Sequence, residues 1–143
     1  MRHFSQFEFG IWYEAMSPRL LELLDAFREA WGRPVRISPD GGALGRHLGP
    51  DATSQHNWDR WGEVRAADVI PAAMISRPLA ESAIVLAKSV GFTGIGLYTF
   101  WASGPGLHLD VRADRLAGDP ALWGQIAYKG PYIAIEAALN EMP

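Results

Sequence analysis

The sequence predicts an α+β domain in which a small antiparallel sheet is flanked by helices. Three observations carry that prediction. Two segments combine helical spacing with start and stop signals, four short apolar stretches read as strands, and the two kinds follow one another irregularly with a hairpin-like connection. With 143 residues, 48% of them hydrophobic, the chain suffices for one domain with a core and is too short for two ordinary ones. Residues 1–143 are therefore read as a single domain.

The first helix is read in "SPRLLELLDAFREAWG", where Ser17 is the N-cap and Pro18 takes the first helical position. Leu20, Leu23, Leu24, Phe27 and Trp31 recur at helical spacing, and Gly32 ends the run. "PVRIS" follows as a short strand, then "PDGGALGRHLGPDATSQHN" as a long glycine-rich loop of the kind that carries a site. Val64 to Ile70 reads as extended. Alternation then puts Val64, Ala66, Asp68 and Ile70 on one apolar face, and Glu63, Arg65 and Ala67 on the other.

"SRPLAESAIVLAKSVG" is a second helix, capped by Ser76, with Pro78 in its first turn and Gly91 at its stop. "GIGLYTFW" and "GLHLDVRA" are strands joined by the turn residues "ASGP". In the latter strand Leu107, Leu109 and Val111 alternate with His108, Asp110 and Arg112, so one face is apolar and the other gathers three polar groups. "GPYIAIEAALNEM" closes the chain as a short helix.

A net charge of -3 without any Lys/Arg run gives no nucleic-acid footprint. There is no cysteine, so disulfides and thiolate metal sites are excluded and any metal must be held by His, Asp or Glu. The longest apolar stretch, "SAIVLAKSVGF", is too short to span a bilayer, so no membrane insertion is expected. The N-terminal "MRHFSQFEFGIWYEAM" carries Glu8 and Glu14 and lacks the features of a signal peptide.

The chemistry centres on Asp68. An unpaired carboxylate on an apolar strand face is costly, so it must be protonated, hydrogen-bonded, paired with a cation such as Arg65 or Arg112, or bound to a metal. His56 lies just ahead of that strand and His108 in the hairpin that pairs nearby. Two neutral imidazoles and a carboxylate are a catalytic zinc set, because they leave a fourth tetrahedral position open.

These residues carry a family resemblance. "SQHNWDRWGEVRAADV" resembles the S-x-H-x-x-G-x-A-x-D zinc motif of the D-alanyl-D-alanine carboxypeptidase and L-alanyl-D-glutamate endopeptidase family. "GFTGIGLYTFWASGPGLHLDVR" resembles its second signature, a G-x-G-x-Y strand followed by a strand with H-x-D. "RHFSQFEF" and "LLELLDAFREAWGRPVRIS" are similar to small phage and prophage members. The resemblance runs in order through most of the chain. It implies the hedgehog/DD-peptidase fold and a zinc ion held by His56, Asp68 and His108, with Ser54 supporting a ligand. It also implies cleavage of peptide bonds in peptidoglycan stem or cross-link peptides, and, with no signal peptide read, a lysin or virion component that is cytoplasmic until released or virion-associated and acts at the bacterial cell wall is expected.

The chain departs from the family pattern in three places. Eleven residues separate His56 from Asp68, more than the motif has, so "WDRWG" is read as an inserted turn at the rim. Its Trp58 and Trp61 either stack on a sugar or line a peptide groove, or else cap the core. Pro105 stands three positions before His108, where many members carry the proton acceptor, which leaves Asp110 or Glu63 as the base. Asp110 is slightly favoured, with a supporting role behind a histidine as its alternative.

"PDGG" replaces the turn whose arginine grips the substrate carboxylate, and Arg46 is the nearest substitute. His47 is read as a surface residue, and His3 receives no role. Two rivals remain: a catalytically impaired wall-binding or structural module that keeps the fold and perhaps the zinc, and a different metal hydrolase or a metal-free domain.

Overall fold

Local signals determine where the two long helices begin and end. In the computed structural model, which describes residues 1–143, Ser17 Oγ accepts from the Leu20 amide at 3.3 Å and starts α1 (Pro18–Trp31). Gly32, at φ 70°, ends it by donating to the Arg28 and Glu29 carbonyls. Ser76 caps α3 (Arg77–Val90) in the same way, after the short α2 (Trp58–Trp61) that the "WDRWG" turn forms. A 3-10 segment (Gln6–Ala15), kinked at Gly10, precedes α1, and α4 (Ile135–Leu139) closes the chain.

Five strands, β1 (Val35–Ile37), β2 (Ala66–Pro71), β3 (Gly94–Tyr98), β4 (Gly106–Asp110) and β5 (Ala121–Gln125), form one sheet in the order β1-β2-β4-β3-β5. The first four pair antiparallel, but β5 runs parallel to β3. The α+β class therefore holds while the purely antiparallel sheet does not. The sheet is mixed because "ALWGQ", which carries no alternation or turn signal of its own, fills the open edge of β3.

Each sheet face has a distinct role. Ala67, Val69, Ile95, Leu97, Leu107 and Leu109 join Leu20, Leu24 and Phe27 of α1 and Ala80, Ala83 and Ala87 of α3 in one buried core. Phe27 meets Phe92 edge to face at 6.3 Å inside it. The opposite face carries Asp68, His108 and Trp123 and forms the floor of a cleft.

This corrects the expected placement of Asp68. Val64 does lie in the core, but it bridges to Met16 and bonds Ala15 and Ser17, outside the β2 ladder. The alternation is reset before Ala66, so Ala67 and Val69 face the core and Asp68 faces the cleft. β3 and β4 are also shorter than their apolar runs suggest. Phe100 and Trp101 leave the sheet after Tyr98 and line the cleft.

Candidate metal centre

His56 reaches the site on the long loop, which its own side chains hold in shape. Asn57 Nδ2 donates to the Gly49 and Ala52 carbonyls, and Trp61 Nε1 donates to the Ser54 carbonyl at 2.9 Å. The Arg46 and Trp58 amides close a bridge across the loop by donating to the His56 and Arg46 carbonyls. Asp68 and His108 come from adjacent strands, where they are direct cross-strand partners. A loop and a two-strand ladder thus converge on one point.

The geometry at that point is that of a ligand set. His56 Nε2, His108 Nδ1 and Asp68 Oδ1 lie 3.2 Å from one another on all three edges. A tetrahedral ion bound at about 2.0–2.1 Å holds its ligand atoms roughly 3.3–3.4 Å apart, so the residues present fit a metal ion. Both imidazoles are oriented for it. His56 Nδ1 lies 2.6 Å from the Leu44 carbonyl, which can only accept, so Nδ1 carries the proton and Nε2 offers a lone pair. His108 Nε2 donates to Asp110 Oδ2 at 2.7 Å, leaving Nδ1 toward the triangle. This buried group can hold a metal ion.

The charges agree with that role. Burial pushes the His56 pKa down and outweighs the pull of Asp68, which keeps the ring neutral as a ligand must be. Burial raises the Asp68 pKa, but its close contacts with the two imidazoles, among them the hydrogen bond and positive charge of His108, outweigh it and hold the carboxyl well below its usual range. His108 is likewise disfavoured as a cation by burial, yet its bonds to Asp110 and Asp68 push it up to about 9. Without a metal it is an imidazolium between two carboxylates.

Asp110 lies behind His108, fully buried and outside the cleft wall. Its Oδ1 accepts from the Arg112 amide and Nε, and its Oδ2 from His108 and Arg112 Nη2, so both oxygens are committed. That position orients the histidine and does not present a carboxylate to a water at the mouth. Glu63 also stays outside the cleft, paired with Arg65 Nε at 3.0 Å. These two pairs take up Arg112 and Arg65, so neither is the cation beside Asp68. That place belongs to Arg46, whose Nη2 lies 3.5 Å from Asp68 Oδ2 while its Nε donates to the Gly42 carbonyl.

Ser54 supports the ligand through the chain, not the ring: its Oγ accepts from the His56 backbone amide. Trp58 is exposed against His47, and Trp61 lies beneath the Arg60 and Arg65 guanidiniums. Neither tryptophan lines the cleft or joins the core. His47 pairs with Asp59 at the surface, and His3 lies near Glu29, remote from the site.

The cleft itself, about 1080 Å³, is lined by the three donor residues, Arg46 and Ser54 together with residues to which the sequence had assigned no role. Tyr98, Trp101, Trp123, Tyr128 and Tyr132 supply aromatic surface, and Asp40 is its carboxylate other than Asp68. Gln55 Oε1 is buried in this wall without a protein donor. Burial pushes the Tyr98 pKa up to about 12, against a hydrogen bond from Trp123. The aromatic run "GLYTFW" was the available signal, but which of its rings face the cleft depends on where β3 ends. No protein-family model matches the chain, and neither a curated protein nor a solved structure matches it.

Proposed function

We propose that this chain is a zinc-dependent peptidase acting on stem or cross-link peptides of peptidoglycan, of the phage or prophage type its motifs resemble. The observation that carries this is the triangle of donor atoms, 3.2 Å on each edge, with both imidazoles oriented from behind. Zinc held by His56, Asp68 and His108 supplies a Lewis acid that polarises a peptide carbonyl and lowers the pKa of water.

The remaining tasks fall to the chain's own residues. Arg46, half-exposed beside Asp68, offers a guanidinium that can take a substrate carboxylate. With Asp110 and Glu63 turned away from the cleft, Asp40 is the carboxylate on the wall that can take the proton of the attacking water. Its amide is bonded to Ser38 Oγ, and Ser38 in turn bonds the Asp68 carbonyl, which ties this loop to β2.

Mass spectrometry of muropeptides after incubation with the zinc-loaded protein tests the proposal. Fragments with new amino groups and masses that identify one peptide bond are the expected result. New reducing sugar ends without new amino groups would count against it, because a glycosidase needs a different pair of carboxyl groups. The alternative, a wall-binding module with impaired catalysis, draws on the exposure of Asp40, its one remaining proton acceptor. It would show as zinc uptake and wall binding without release of any fragment.

A further inference from the structure

Tyr98 ends β3 on the cleft face, two residues beyond Gly96, whose β4 partner is His108. Its ring is held firmly in place. Trp101 stacks on it with centroids 4.8 Å apart and planes 19° from parallel. Trp123 Nε1 donates to its hydroxyl oxygen at 3.0 Å. The same Trp123 packs its ring against His108, centroid to centroid 5.1 Å, so the hydroxyl lies one indole away from a ligand histidine.

Hydrogen-bond bookkeeping at this oxygen is decisive. An indole N–H can only donate, so the Tyr98 oxygen accepts from it and keeps its own proton free for another acceptor. No protein group takes that proton; the bond from Trp123 is the one side-chain bond Tyr98 makes. Arg46, the other donor beside the ligand atoms, spends Nε on the Gly42 carbonyl and turns Nη2 toward Asp68, and its remaining N–H groups are those assigned above to the substrate carboxylate. A rigid, unspent donor on the cleft wall next to a metal site is what a developing oxyanion requires, since it needs no reorganisation as charge appears.

We propose that Tyr98 is a catalytic residue whose hydroxyl donates a hydrogen bond to the scissile carbonyl oxygen as negative charge grows on it. As a water oxygen bonds to the carbonyl carbon, Asp40 takes the water's proton, the π pair moves onto the carbonyl oxygen, and the Tyr98 proton stays on Tyr98 while stabilising that oxygen. Trp123 is a positioning residue that fixes the hydroxyl, and Arg112 over its ring at 5.0 Å ties it to Asp110 behind His108. The assignment rests on the metallopeptidase proposal above.

The test compares wild type, Tyr98→Phe and Trp123→Phe. Cobalt-loaded proteins are titrated with acetohydroxamate and followed by visible spectroscopy, and the zinc forms are assayed on muropeptides. Tyr98→Phe should take up cobalt like wild type, bind acetohydroxamate roughly five- to tenfold more weakly, and lose about 10²-fold in kcat with a much smaller change in KM. Trp123→Phe, which keeps the hydroxyl and loses its anchor, should fall between.

Equal acetohydroxamate affinity and equal kcat in wild type and Tyr98→Phe would overturn the role. If the affinity depends on Tyr98 while wild type releases no wall fragment, the donor stands and the peptidase assignment falls. A wild-type chain that takes up no cobalt removes both.

Discussion

His108 meets a carboxylate at each ring nitrogen, and the two differ in what they can do. Asp68 shares the donor triangle, whereas Asp110 holds the far nitrogen and is itself held by Arg112. Asp110→Asn should therefore weaken zinc binding by about 10- to 100-fold, measured by competition with a chromophoric chelator. Glu63→Gln, which breaks only a pair with Arg65, should change neither zinc affinity nor activity. Asp40→Asn should keep zinc and fold while lowering kcat by roughly 10²–10⁴-fold, the usual effect of removing a general base; an unchanged kcat would take that role from Asp40. The three donors were legible in the sequence because an acid in an apolar strand needs a partner and two imidazoles flank it. The proton acceptor was not. Glu63 is near Asp68 in sequence but paired outward, and Asp40 reaches the cleft only through the path of a loop.

Among the elements, β3 shows how a strand makes room for a site. A Cβ on Gly94 would lie 2.2 Å from an Asp110 carboxylate oxygen, and one on Gly96 would lie 2.6 Å from the Trp123 indole. The G-x-G spacing thus clears two consecutive positions on the cleft face for the group behind His108 and the ring beside it. Gly94→Ala should cost about 1–3 kcal/mol of stability, the range for overpacking a filled site, and should weaken zinc binding as well. Gly41→Ala, with open space at its Cβ and no left-handed backbone, is the matching control and should leave the unfolding midpoint unchanged. Both long helices were legible because periodicity, caps and stops agree at each end. β5 was not, because its pairing is specified by the open edge of β3 and by Gly124 admitting Ala138 of α4, neither of which a local pattern reveals.

For the whole molecule, the buried charges set how stability depends on pH and on metal. In the metal-free protein His108 titrates near 9 when folded, against about 6.5 when unfolded. Its contribution is therefore full below pH ~6.5 and is lost as pH rises through about 9, a decline on the order of 3 kcal/mol. His56, with its pKa lowered, is neutral in both states above pH ~6.5 and does not offset this. Asp68 and Asp110, both lowered, contribute above their unfolded values near pH ~4 and lose that contribution in acid. Denaturant titrations of chelator-treated protein should thus show stability falling from pH 6.5 to 9. Saturating zinc should raise the unfolding midpoint and flatten that slope, because the ion replaces the His108 proton.

The most direct test is X-ray absorption at the zinc edge on the chain loaded with one equivalent of zinc. Two imidazole nitrogens and oxygen donors at about 2.0–2.2 Å are expected, with that signature lost in His56→Ala. A shell of oxygens alone, or a spectrum unchanged by His56→Ala, would contradict a metal centre built from His56, Asp68 and His108.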